Sequence, residues 1–336
     1  MKNLILEEKL TAGFNFLENK KIFVTGGTGF FGKSLLDVIG RFAQDISFDM
    51  VVLSRDPASF LNQNKQFADL KNVRFHQGDI TNFKFLNEKF DAVLHFATPA
   101  DAKLNIENPL LMTSIISDGM KRILDFTIQA EVKDFLFASS GAVYGAQPID
   151  LTHTPETYSG APHPHALDAA YGEAKRYAEL TGCLAARQHG FNFKTARCFA
   201  FTGPYLNQDG SFAIANFIKD ALANVTIQIK GDGTPYRSYL YADDLIAWLL
   251  TILKSGKSGQ PYNVGSDQDL TIGELAYEVV RTLNPNVTVN IHQKAKEDAK
   301  PTRYVPNIQK AKLELGLDAW TPLQQAIQLS AKKINR

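Results

Sequence analysis

Cysteine is nearly absent from this chain. Only Cys183 and Cys198 occur in 336 residues. Two thiols cannot build a disulfide framework or a Cys-rich zinc site, and they read as buried groups in a reducing cytosol. A charge excess is missing too. Against 36 Lys and Arg stand 35 Asp and Glu, a formal net charge of +1, so no global basic field exists to hold nucleic acid or an anionic membrane. No apolar run approaches the ~20 residues that a bilayer requires; the most apolar helical stretch is Leu245–Leu253. The start, MKNLILEEKL, places acidic residues where a signal peptide needs unbroken apolar ones. Repeats and low-complexity tracts are lacking as well. These absences describe a cytoplasmic protein with neither membrane nor nucleic acid as partner. Its 44% of hydrophobic residues supply a substantial core, which excludes intrinsic disorder. The length suits about two domains, or one large domain with an appended lobe.

What is present is a strong alternation. Residues 1–20 carry apolar positions at roughly helical spacing (Leu4, Ile5, Leu10, Phe14, Leu17) and predict a helical extension packed on the outside. From Lys21 the pattern runs strand, turn, helix, and repeats. Strands are expected at Ile22–Thr25, Met50–Leu53, Val73–His76, Ala92–Phe96, Asp134–Ser139 and Phe193–Arg197. Helices are expected at Phe30–Phe42, Pro109–Ala130 and Ala169–Gln188. Short, continuously apolar strands between helices indicate a parallel sheet covered on both faces, an α/β class. After Thr202 glycine and proline become frequent. Residues 203–336 are expected to form a smaller mixed lobe that exchanges segments with the main sheet. Its helices are expected near Ser211–Leu222, Ala242–Leu253, Thr271–Leu283 and Pro322–Lys333, and its strands near Thr226–Ile229, Tyr262–Val264 and Val287–Ile291.

The sharpest local signal is VTGGTGFFG, with Gly26, Gly29 and Gly32 directly after the first strand and opening the first helix. Such glycines let the backbone turn tightly against a pyrophosphate, and the helix N-terminus offers N–H groups and a favourable dipole. Thr28, Phe30 and Phe31 belong to the same turn. At the end of the second strand, where an NAD site usually carries an acid for the ribose hydroxyl, stand Ser54 and Arg55. A guanidinium suits a 2′-phosphate, so this pair favours NADP over NAD. Asp56, one position further, is the alternative ribose ligand. Asp79, followed by Ile80, either accepts from an adenine amino group or serves its own turn.

Tyr171 and Lys175 form YGEAK on a predicted helix, and their i,i+4 spacing puts phenol and ammonium on one face. A neighbouring positive charge lowers a phenol's pKa and makes it a general acid/base for an alcohol. Ser139 and Ser140 end the fifth strand, at the carboxyl edge where open parallel sheets bind ligands. Asp243-Asp244 starts a helix and reads as capping and dipole stabilisation. His95 reads as a packed or cofactor-lining histidine, because no metal-ligand spacing accompanies it.

These motifs resemble the extended short-chain dehydrogenase/reductases, specifically the NAD(P)-dependent nucleotide-sugar epimerase/dehydratase family. The matching segments follow in order from about Lys21: TGGTGFFG, GDI, HFAT, SSGAVYG, YGEAK, RCFAFTGP, GDGTPYRSYLYADDL, YNVGS and RYVPNIQKAKLELG. The resemblance implies a Rossmann-type doubly wound sheet over 21–202 and a nucleotide-sugar lobe over 203–336. It implies a triad of Ser140, Tyr171 and Lys175, with Phe96, Ala97 and Thr98 against the cofactor. It also implies Arg237 and Arg303 on a substrate diphosphate, no metal, and a homodimer joined through the helices Pro109–Ala130 and Ala169–Gln188. Tyr171 would take the proton of the sugar 4-hydroxyl, giving a 4-keto intermediate.

Departures from the family pattern direct the choice of reaction. Family dehydratases place an Asp-Glu pair where this chain has Gly141 and Ala142, and related decarboxylases keep the glutamate. Ala200 replaces the family's substrate-contacting asparagine, and Ile116 stands where the family's N-V-x-G-T helix segment has its asparagine. The expected activity is therefore a nucleotide-sugar 4-epimerase. An NADPH-dependent reductase of a 4-keto-6-deoxy nucleotide sugar is next, and a 4,6-dehydratase that recruits another acid such as Glu173 is third.

Overall fold

The computed structural model describes residues 2–99, 102–207, 212–295 and 300–334. The first half contains α1 (Lys2–Leu17), β1 (Lys21–Thr25), α2 (Phe30–Phe42), β2 (Asp49–Ser54), α3 (Pro57–Gln63) and β3 (Val73–Gln77). It continues through β4 (Ala92–His95), α4 (Ala102–Glu107), α5 (Pro109–Gln129), β5 (Asp134–Ser140), α6 (Ala169–His189) and β6 (Asn192–Cys198). The second half contains β7 (Phe201–Thr202), α7 (Ala213–Leu222), β8 (Ile227–Ile229), β9 (Tyr236–Ser238), β10 (Leu240–Tyr241), α8 (Ala242–Ser255) and β11 (Pro261–Val264). After these come β12 (Asp269–Thr271), α9 (Ile272–Leu283), β13 (Val289–Ile291), β14 (Arg303–Tyr304), α10 (Gln309–Leu315) and α11 (Leu323–Ile334).

Seven strands form one sheet in the order β11-β6-β5-β4-β1-β2-β3. Every pairing in it is parallel. This is the doubly wound, Rossmann-type α/β architecture expected from the alternation. Side chains alternate across each strand, and both faces are covered. Ile22 and Val24 enter the core shared with α1, α2 and α8. Phe23, between them, enters the core shared with α5 and α6. A third core joins α7, α9 and α11 with β8 and forms the mixed lobe. Local chemistry marks the element ends. Asn108 caps α5 ahead of Pro109, Gly190 ends α6 at φ 80°, and Thr271 with Glu274 forms a capping box on α9.

The N-terminal helix buries one face and exposes the other. Leu10, Phe14 and Leu17 are fully buried in the main core, packed with α8, while Leu4 and Ile5 face outward. Sequence spacing identified its apolar stripe but not its cover. Beyond Thr202, β11 joins the main sheet and α8 packs beneath it, so the main core draws on both sides of that position. The expected start of α7 at Ser211 lies outside the described residues. No helix among the described residues is long and apolar enough to cross a membrane.

Candidate active site

The strand order reverses between β1 and β4, and a crevice outside the carboxyl ends of such strands is where open α/β sheets bind ligands. The glycine turn sits there. Gly26 has φ +69°, and a Cβ on it would lie 2.5 Å from the Ala97 nitrogen. Side chains on Gly27 and Gly32 would overlap Val52 and the Gly27 backbone, respectively. Gly29 is different. A Cβ there would meet only the Gly26 carbonyl at 3.5 Å, so its glycine leaves open space rather than relieving a clash inside the protein. Thr28 and Phe30 are half-buried and Gly29 is exposed. No side chain caps α2, and its first turn carries no acid. Phe31 lies edge-on to Phe96 and Phe201 beneath the turn.

Around the turn stand the other residues expected against a cofactor. Thr98 Oγ1 is buried without a hydrogen-bond partner, a deficit that a bound hydroxyl would remove. Ala97 N–H donates to Thr25 Oγ1, which is 2.6 Å from His95 Nδ1. Burial and the Lys175 charge push His95 down to about 3, so the ring is neutral and serves this lock. Ser54 is buried at the end of β2, and Arg55 is exposed just beyond it. Asp56, the alternative ribose ligand, caps α3, its Oδ1 accepting from Ser59 N at 2.9 Å. Asp79 likewise serves its own turn, with Oδ1 accepting from the Thr81 N–H and hydroxyl. Ile80 is buried against Gly119.

Ser140, Tyr171 and Lys175 converge where β5 meets α6. Ser140 Oγ accepts from Ala142 N at 3.1 Å. Lys175 is buried, with Nζ donating to the Ala138 carbonyl at 2.7 Å, 4.6 Å over the Phe137 ring and 5.9 Å from the centre of the Tyr171 ring. Burial pushes its ammonium down to about 7. Burial also holds the Tyr171 phenol well above its ordinary range, while its hydrogen bond with Ser140 pulls the other way. The simple expectation that the lysine charge depresses the phenol is therefore not met in the protein alone. Desolvation disfavours both charged forms.

At the end of β5, Gly141 and Ala142 are followed not by acids but by rings. A Cβ on Gly141 would lie 2.8 Å from both Phe199 and the Tyr304 hydroxyl. Tyr304 Oη is 3.4 Å from Ser140 Oγ, and its ring stacks near Phe199 at 4.7 Å. Arg237 approaches the same ring at 5.8 Å. Arg303 does not join it. In β14, Arg303 pairs with Tyr236 and Tyr304 with Arg237, and neighbouring residues of a strand face opposite ways. Arg303 lies on the far face, ion-paired with Asp269 and stacked on Tyr236. This corrects the expected two-arginine clamp. Ala200 is half-buried, and its carbonyl accepts from Leu240 N. Ile116 is buried in the α5 core.

Sequence reasoning passed over Tyr304, Phe199 and Glu179. Glu179 continues the Tyr171–Lys175 face at i+8. It accepts from Ser139 Oγ at 2.5 Å and holds Arg197 in a buried pair. The first of these stood in a quoted motif, next to Arg303, but only the register of β14 reveals which residue faces the site. Asp243 and Asp244 both stand in the first turn of α8, as expected for favourable interaction with its dipole, but neither side chain caps it. Asp243 pairs with Arg41 at 2.7 Å, and the buried Asp244 accepts from Trp320 and Thr321 N–H groups.

Residues 22–265 match the model of the NAD dependent epimerase/dehydratase family. UDP-glucuronic acid decarboxylase 6 of Arabidopsis thaliana is 29% identical over 316 residues, covering 94% of this chain and 88% of that protein. Among solved structures, UDP-glucose 4-epimerase of Thermotoga maritima with UDP-glucose aligns with a TM-score of 0.78 at 23% identity, covering 94% of this chain and 98% of that one. UDP-glucuronic acid 4-epimerase of Bacillus cereus in complex with NAD aligns with a TM-score of 0.78 at 22% identity, over 94% and 96%.

Proposed function

We propose, for a chain that belongs to the NAD dependent epimerase/dehydratase family, that this enzyme inverts C4 of a nucleotide-diphosphate sugar through a 4-keto intermediate. The observation that carries this reading is the end of β5. Eliminating water from a keto sugar needs an acid for the leaving hydroxyl and a base for the adjacent carbon. Gly141 and Ala142 are neither, and Phe199 and Tyr304 occupy the space beside them. Glu173 is half-buried on α6 and engaged by Arg176, so it is not held as a free replacement.

In this reading Tyr171 Oη takes the proton of the C4 hydroxyl and later returns it. Ser140 Oγ hydrogen-bonds the same oxygen. Lys175 Nζ, on the same face of α6 as Tyr171, engages the nicotinamide ribose. A bound dinucleotide supplies the hydride acceptor and donor. Gly26, Thr28, Gly29, Phe30, Phe31 and Gly32 form its pyrophosphate cradle, with Phe96, Ala97 and Thr98 along the opposite side. Arg55, beside Ser54 and with Asp56 engaged in its cap, receives a 2′-phosphate, which makes NADP the preferred form. Arg237 binds the substrate diphosphate. Residues 21–202 serve the dinucleotide and residues 203–336 the sugar nucleotide, with β11 and α8 lent to the main core. Tyr177, Leu180 and Leu184 form an exposed apolar stripe on α6 that a second copy covers, giving a homodimer.

A second reading, an NADPH-dependent keto-sugar reductase, is favoured by Arg55 alone. Denaturing the purified protein and identifying the released dinucleotide by mass spectrometry separates the two. Stoichiometric oxidised NADP is expected of a redox-neutral cycle. An empty site that takes up NADPH reversibly would move the assignment to the reductase, and release of carbon dioxide from a nucleotide-linked uronic acid would move it to a decarboxylase.

A further inference from the structure

We infer that Tyr304 is a positioning residue of the reaction, acting through Ser140. The inference rests on the proposed function and adds a group to that site. Tyr304 reaches the site from 164 positions away, carried by the pairing of β14 with β9. Its hydroxyl is 3.4 Å from Ser140 Oγ and 3.5 Å from the Cys198 carbonyl. Ser140 Oγ also accepts from the Ala142 N–H at 3.1 Å. The serine hydroxyl thus has its oxygen held by the backbone and by the Tyr304 phenol.

A serine hydroxyl has one proton and a free rotor. A donor fixed against its oxygen leaves that proton to point at the opposite partner. With its single proton given to Ser140 Oγ rather than to the Cys198 carbonyl, Tyr304 joins the Ala142 N–H as a donor to that oxygen and leaves the Ser140 proton for the reacting sugar oxygen. Proton count is unchanged; only the direction of one hydroxyl is set. Gly141 is part of the device. A side chain at that position would collide with the Tyr304 hydroxyl, so the residue that removes an acid from this site also admits the phenol. Phe199 at 4.7 Å and Arg237 at 5.8 Å pack against the ring.

The test is a double-substitution cycle of Tyr304→Phe with Ser140→Ala. The phenylalanine keeps the ring packing and removes only the hydroxyl. Tyr304→Phe is expected to lower kcat about tenfold, the scale of one hydrogen bond, with KM changed less than twofold. In the Ser140→Ala background it is expected to cost nothing further. An equal loss in both backgrounds, or a change confined to KM, would overturn the inference and make Tyr304 a wall of the sugar pocket. The same cycle read by thermal unfolding covers the case of an inert enzyme. Additive shifts would show that no Ser140–Tyr304 bond exists. Non-additive shifts without turnover of any nucleotide sugar would retain the bond and overturn the proposed function instead.

Discussion

Lys175 holds the site's main electrostatic tension. Its Nζ is buried under β5 with one carbonyl partner, and its pKa falls from the ordinary 10.5 to about 7. A lysine depressed on folding binds fewer protons in the native state, so stability is lost as pH falls from about 10 toward 7 and is level below that. Removing the charge should therefore stabilise the fold while stopping turnover. Lys175→Met is expected to melt several degrees above the wild type at pH 6–7, with the gap narrowing toward pH 10. Thermal unfolding across that range checks it. A variant destabilised at every pH would show that the bond to the Ala138 carbonyl outweighs desolvation. Tyr171→Phe is expected to lower kcat by about 10²–10⁴ with its dinucleotide content unchanged, since the phenol moves a proton and does not build the cradle.

The turn between β1 and α2 contains glycines with separate tasks. Gly26 has positive φ and no room for a methyl beside Ala97, whereas Gly29 borders open space. Gly26→Ala should lose both stability and dinucleotide binding. Gly29→Ala should melt within about 1 kcal/mol of the wild type yet bind the dinucleotide at least about tenfold more weakly. Calorimetric titration beside thermal unfolding distinguishes them, and parallel losses in both variants would refute the division. This turn was legible in the sequence because strand, glycines and helix are contiguous. Tyr171 and Lys175 were legible because one helix fixes their spacing. Tyr304 and the outward turn of Arg303 were not, since the face of a two-residue strand depends on its register with β9. The role of α1 escaped for a related reason, because spacing identifies an apolar face but not the element that buries it.

Across the whole molecule the two halves share a core. Trp248, Leu249 and Tyr262, all from beyond residue 202, are buried with Ile22, Val24 and Phe14. A fragment ending at Thr202 would expose the β6 edge and that apolar face, so urea titration of it should give no cooperative transition. A cooperative fragment would show the halves to be independent. The α6 stripe makes a different prediction. Leu180→Asp with Leu184→Asp should convert a dimer to a folded monomer by sedimentation, and an unchanged mass would move the interface elsewhere. The central claim is a redox-neutral inversion at C4, and the most direct measurement follows the hydrogen on that carbon. Nucleotide sugars deuterated at C4 are incubated with the enzyme and the products read by NMR. The account predicts the 4-epimer with deuterium retained at C4. Loss of the label from C4, or a product lacking its C6 hydroxyl or a carboxyl carbon, would contradict it.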